Sequence, residues 1–210
     1  MKLILLLSLL SFAIQPDTTP YLCTEVGNKS LRANYDSRKK LVMYTEQEVM
    51  SVTEKEGVTS VVVHITTLKP DKTLFEYILP YDMTYEIRNG DVYLVVAALG
   101  NETKNTGNIS IPASMKVGDD YGSGTFELPN ANSSNKSTIH YRKVVGQETI
   151  TTPAGTFDCL ILEQLAETKV LGTKQQAISK TWYAKGVGDV KTEVYSTKGK
   201  LRSSVVLEAR

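Results

Sequence analysis

With 210 residues and 41% hydrophobic content, the chain is long enough to bury one core of ordinary size. Its 24 Lys and Arg stand against 23 Asp and Glu, for a formal charge of +1. That balance excludes the basic footprint of a nucleic-acid binder. Residues 1–13 begin with Lys2, run on through leucines and end on the small residues Ser11 and Ala13, the pattern of a secretory signal peptide cut near Ala13. A membrane span needs about 20 apolar residues, whereas this run yields to Gln15, Pro16 and Asp17. Cys23 follows Pro20-Tyr21-Leu22 and lacks the small residue that a lipid anchor requires before it. Loss of the leader removes Lys2, so a formally neutral, soluble chain is expected in the periplasm or outside the cell.

Residues 14–30 hold Pro16 and Pro20 without periodicity and are expected to form an extended, mobile arm. The arm carries Cys23, and the second cysteine is Cys159. An oxidising compartment favours their pairing, which in the chain-entropy model would be worth up to about 5 kcal/mol; two buried, unpaired thiols are the alternative.

From residue 31 to 210 the chain reads as a single β-domain, with short runs of Val, Ile, Thr and Tyr separated by turn residues. Strands are expected over 31–35 and 41–52, although Glu46-Gln47-Glu48 would also suit a helix. The run 58–68 contains Val61-Val62-Val63 and Ile65 and belongs deep in a sheet. A strand over 73–79 follows. Asn89-Gly90 then joins 85–88 to 91–95 as a type I′ hairpin, since both central positions of that turn need positive φ. The polar stretches 101–108 and 129–137 read as exposed loops. Their Asn-x-Ser/Thr triplets at Asn101, Asn108, Asn132 and Asn135, with another at Asn28, are read as loop formers. Beyond them, strands are expected over 138–151, 156–170, 175–184, 187–195 and 201–207. The regular spacing makes a meander, and strand twist bends so many strands into one strongly curved antiparallel sheet, a half-barrel or open barrel.

Little catalytic chemistry is legible. His64 and His140 stand inside strand runs, without the clustered ligands of a zinc site. Neither cysteine has a neighbour that would lower its pKa. No Gly-x-Ser-x-Gly elbow is present, and Asp119-Asp120 reads as a solvated turn. These residues point to a protein without catalytic groups, cofactor or metal. Aromatic side chains are more suggestive: Tyr77, Tyr81, Tyr85 and Tyr93 fall in one stretch, and Trp182-Tyr183 in another. They offer apolar bodies with polar tips, suited either to the face of a sheet or to a ligand.

The string from Val144 to Cys159 with Thr152-Pro153-Ala154-Gly155-Thr156-Phe157 at its centre, and Thr181-Trp182-Tyr183 before Gly186-Val187-Gly188-Asp189, resemble the TapB-like family of secreted bacterial proteins, mostly of unknown function. Tyr35-Asp36, Ile111-Pro112 and Thr197-Lys198-Gly199-Lys200 extend the resemblance over nearly the whole mature chain. It implies a curved β half-barrel similar in shape to lipoprotein-localisation factors, which carry acyl chains in their hollow. It also implies the Cys23–Cys159 pairing, although Thr24-Glu25-Val26-Gly27 departs from the aromatic-proline stretch of the relatives. The expected role is therefore to hold an apolar or lipid-like ligand in the hollow, lined by Tyr77, Tyr81, Tyr85 and Trp182. The alternative is an assembly or stability factor for an envelope or pilus complex, acting through protein partners.

Overall fold

The computed structural model describes residues 17–95, 110–127, 136–170 and 173–210. The signal peptide expected over 1–13, the loop over 101–108 and most of that over 129–137 lie outside the described residues. Among these described residues twelve strands form one antiparallel sheet: β1 (Lys29–Asp36), β2 (Leu41–Lys55), β3 (Val58–Leu68), β4 (Tyr81–Arg88), β5 (Asp91–Val95), β6 (Ser110–Ile111), β7 (Gly124–Glu127), β8 (Lys136–Thr152), β9 (Gly155–Val170), β10 (Thr173–Ala184), β11 (Gly188–Tyr195) and β12 (Leu201–Ala209). Their spatial order is β6-β5-β4-β3-β2-β1-β12-β11-β10-β9-β8-β7. The chain thus starts in the middle of the sheet and walks out to one edge. It then crosses to the other edge and walks back until its last strand pairs with its first. The ladder does not close into a barrel; the sheet is open and curved.

Local sequence explains most of this. β3 buries Val61, Val63, Ile65 and Thr67 and leaves the residues between them half-buried, the alternation of a strand with one face on the core. Asn89 and Gly90 take φ of 53° and 88°, as the type I′ hairpin between β4 and β5 requires. β2 remains a strand through Glu46-Gln47-Glu48 because β1 and β3 pair with it on both sides there. Curvature comes from bulges. Met50 in β2, and His140 and Val145 in β8, are extra residues skipped by the partner strand, and all three are exposed. An unpaired residue turned outward bends its strand toward the other face.

The expected strand over 73–79 is not formed. β3 already has β2 on one side and β4 on the other, and β4 joins it only from Tyr81, opposite Ile65. Beyond Ile65 only the last three residues of β3 are left on that side for residues 69–80 to pair with. This stretch forms a loop joined to β3 by one bridge, Leu68 to Leu74, and by the hydrogen bond from Phe75 N to Thr67 O at 3.1 Å, with the Lys69–Glu76 ion pair at 2.9 Å inside the loop.

Two segments occupy the hollow. Residues 112–123 cross from one edge of the sheet to the other. Ala113 N donates to Asp91 Oδ1 at 2.9 Å, and Gly118, Asp119 and Tyr121 exchange backbone hydrogen bonds with Val144 and Arg142 of β8. The described part of the arm, from residue 17, is packed against the domain rather than mobile. Gly186 N donates to Pro20 O at 2.8 Å, Gly27 N donates to Val49 O at 2.8 Å, and Lys185 Nζ lies 2.6 Å from Asp17 Oδ2. Gly90 is indispensable to this fit, since a Cβ there would stand 2.3 Å from the carbonyl oxygen of Thr18.

Candidate functional site

Between the arm and the two halves of the sheet lies a cavity of about 320 Å³. The arm contributes Tyr21, Leu22 and Cys23, and the first half of the sheet Arg32, Gln47, Val49, Val63, Tyr85 and Leu94. From the second half come Ile139, Arg142, Gln164, Tyr183, Val187 and Asp189. Its wall is mostly apolar, with a few polar groups set into it, the usual make-up of a small-molecule site.

A bulge positions one pair of those polar groups. Along the β10–β11 ladder the register slips between Trp182, which faces Lys191, and Tyr183, which faces Asp189, so Val190 is the extra residue. Val190 packs in the Trp182 cluster and Lys191 lies 4.4 Å over the Trp182 ring. Asp189 is left on the side of Tyr183 and meets Arg32 from β1. The guanidinium is bound by both carboxylate oxygens, at 3.1 and 3.0 Å, while its Nη1 donates to Ser30 Oγ at 2.7 Å. Arg32 is only 5% exposed, and a buried cation with a bidentate carboxylate satisfies the condition under which such a charge is tolerated.

Arg142 on β8 is as deeply buried, at 4% exposure, and is held differently. Its Nη2 donates to Ser110 O at 2.8 Å, which ties β8 to β6 across the hollow. The guanidinium lies 5.9 Å from the centre of the Tyr121 ring. Its Nε has no partner, and among the described residues no carboxylate forms an ion pair with it. Burial lowers its pKa. The tyrosines of the wall are shifted the other way: burial pushes the Tyr85 phenol up to about 12 and raises that of Tyr183 further. These phenols are neutral donors at physiological pH.

The four aromatic residues expected from the sequence to line the hollow are dispersed. Tyr85 does line it. Tyr77, at 90% exposure, stands out in the loop before β4, and Tyr81 at its start is half-exposed. Trp182 points away from Tyr183, as neighbours on a strand do; it is buried with Cys159, Ala184, Val190 and Leu207 and donates from Nε1 to Glu148 Oε2 at 2.8 Å. The residues that sequence reasoning left out of the site are Tyr21, Arg32, Arg142, Tyr183 and Asp189. Of these only Tyr183, beside a tryptophan, carried a signal.

The expected Cys23–Cys159 disulfide is not made. Both cysteines are free: Cys23 packs beside the cluster of Val49 and Val63, and Cys159 is buried in the cluster of Trp182. The docked arm takes Cys23 into the first half of the molecule, away from the interior of the second. Burial raises the Cys159 thiol to about 11, so it is held protonated and unreactive. His64 Nδ1 lies 2.7 Å from Asp82 Oδ1 on the β3–β4 ladder, and His140 Nε2 lies 3.8 Å from Glu167; neither borders the cavity. Asp119 accepts from Lys116 N and Tyr121 Oη, and Asp120 pairs with Lys143, so the two carboxylates act separately in the crossing segment. Among the described residues no group of three or more His, Cys, Asp or Glu side chains could hold a metal ion.

An open, curved meander enclosing a cavity with its own N-terminal arm defines the class of protein. The chain belongs to the DUF3108-like family, whose model matches residues 25–207. The match does not carry the TapB-like name that the chain's motifs suggest. No curated protein matches the chain. Among solved structures it is similar to a candidate exported protein with a YmcC-like fold from Bacteroides fragilis, with TM-score 0.71 and 22% identity over 91% of this chain and 98% of that one. It is also similar to a candidate lipoprotein from Parabacteroides distasonis, with TM-score 0.68 and 23% identity over the same shares of the two chains. At these identities the likeness concerns the fold.

Proposed function

We propose that this is a non-enzymatic protein of the bacterial envelope, periplasmic or secreted, that binds an apolar or amphipathic molecule in the hollow of its sheet. The observation that carries this reading is the cavity itself, which remains between the arm and both halves of the sheet after the arm has docked. Its polar groups suit binding better than proton transfer: the phenols are raised, and Asp189 is held by Arg32. The leader-like first 13 residues and the names of the two structural relatives, a candidate exported protein and a candidate lipoprotein, support the location. Kinship with TapB-like secreted proteins belongs to the same reading.

The test is titration of a fluorescent fatty-acyl probe into wild type and a Gln164→Trp variant, with thermal melts of both. Gln164 lines the cavity, and an indole there would fill much of it. Saturable binding by wild type, weakened at least about tenfold in a variant that still melts cooperatively, is the expected result. Failure of wild type to bind would remove the reading.

A second reading, an assembly or stability factor for an envelope or pilus complex, is favoured by a separate feature. The loop over 69–80 and the start of β4 expose Leu74, Tyr77, Ile78, Leu79 and Tyr81 together, a cluster of apolar side chains of the kind that marks protein contacts. Native mass spectrometry of protein taken from its own envelope separates the two, since a retained lipid and a retained protein differ in mass.

A further inference from the structure

We propose that the cavity selects amphiphiles with an anionic head group, a carboxylate or a phosphate, and that Arg142 is the counter-ion that receives it. The inference rests on the cavity being a binding site and adds the charge of its ligand. Two buried arginines border the same space, and they differ in one respect. Arg32 has its carboxylate, Asp189, built into the fold, and Ser30 takes a further donor. Arg142 has one backbone carbonyl, an aromatic ring beside it and an Nε without a partner.

A guanidinium carries five donors and stays charged in proteins. A buried cation without a counter-charge is costly, and an unsatisfied polar group in a native interior calls for an explanation. Among the described residues Asp189 is the only carboxylate in the cavity wall, and Arg32 holds it. Among the described residues the cavity therefore keeps one positive charge without a carboxylate partner, that of Arg142. Planar bidentate recognition of a carboxylate or phosphate oxygen pair is what a guanidinium does best. The apolar side chains around it, among them Ile139 and Leu94, suit the chain of the same molecule. At about 320 Å³ the space lies at the small end of ligand pockets, so a single short chain fits it better than a diacyl lipid.

The register provides a decisive variant. Gln164 on β9 is the direct cross-strand partner of Arg142 and also lines the cavity. Gln164→Glu would give Arg142 an internal carboxylate at the spacing where opposite charges pair.

The experiment measures displacement of the fluorescent acyl probe by decanoate, decyl phosphate, decanol and decyltrimethylammonium. The proteins are wild type, Arg142→Gln and Gln164→Glu, each with a thermal melt. In wild type, decanoate or decyl phosphate should bind at least about tenfold more tightly than decanol, and the ammonium compound more weakly still. Which of the two anions binds better identifies the head group. Both variants should lose the preference while still binding decanol, and Gln164→Glu should melt higher than wild type. Equal binding of decanol and both anions by wild type would overturn the proposal and leave the binding reading intact. Absence of any displaceable binding would overturn both. If Arg142→Gln does not fold, Gln164→Glu decides, and an undiminished anion preference in that variant would overturn the proposal.

Discussion

Tyr85 projects from β4 into the cavity, and its Oη donates to the sulfur of Met83 at 3.8 Å. Burial raises its pKa from 10 to about 12. A group whose folded value lies above its unfolded one contributes stability that is whole below the unfolded pKa and is lost as pH rises through the folded pKa. Wild type should therefore lose Tm between pH 10 and 12, and Tyr85→Phe, which has no proton to lose at that site, should lose less. Melts of the two proteins across that range check this; parallel losses would show that the Tyr85 phenol is not the group concerned. Residues of this kind were partly legible from sequence. Tyr85 fell in an aromatic stretch, but so did Tyr77, which ended on an exposed loop. Aromatic density marks a surface without saying which side of it faces inward. Arg32 and Arg142 were invisible, because a strand arginine in a sequence looks like a solvated charge until the two halves of the sheet close over it. The cysteines misled for a related reason: two thiols in an oxidising compartment suggest a bond, whereas the docking of the arm, which no local pattern encodes, carries Cys23 to another part of the interior.

At the scale of elements, the hairpin between β8 and β9 turns on one backbone conformation. Gly155 adopts a φ of 135°, a region L side chains rarely enter, and a Cβ there would stand 3.6 Å from the Phe157 ring. The obstacle to substitution is therefore backbone conformation rather than space. Gly155→Val should cost about 1–3 kcal/mol, read as a lower denaturation midpoint at unchanged m-value; an unmoved midpoint would refute it. This turn was legible because Thr152-Pro153-Ala154-Gly155 has the residues its geometry demands, and the strand β3 was legible because its run of valines has no other use. The loop over 69–80 was not. Its Thr, Phe, Tyr and Ile have strand propensity, yet propensity acts only where a partner strand is available, and β3 offers it only the three residues beyond Ile65.

For the whole molecule the governing fact is that β1 and β12 meet at the centre of the sheet. Removal of an outer strand from a meander exposes one new edge, whereas removal of β12 leaves an open edge on both β1 and β11 and splits the sheet into its halves. It also removes Leu207, 1% exposed, from the interior of the second half. Deleting residues 201–210 should therefore abolish cooperative unfolding, measured by a denaturant melt followed through Trp182 fluorescence. A truncated protein with a sharp transition near that of wild type would show that the halves are stable apart.

The same central pairing has a consequence for a chain made from its N-terminus. Until the nine residues of β12 dock, β1 waits with one side open, and an unpaired strand is a template for wrong partners. Arg32 lies on that waiting strand, and its carboxylate, Asp189, arrives only with β11. A charge on an open strand holds water and repels the stacking of one chain on another. The ion pair that later walls the cavity thus begins as a lone cation guarding an unfinished edge, and the closing of the fold brings it its counter-charge.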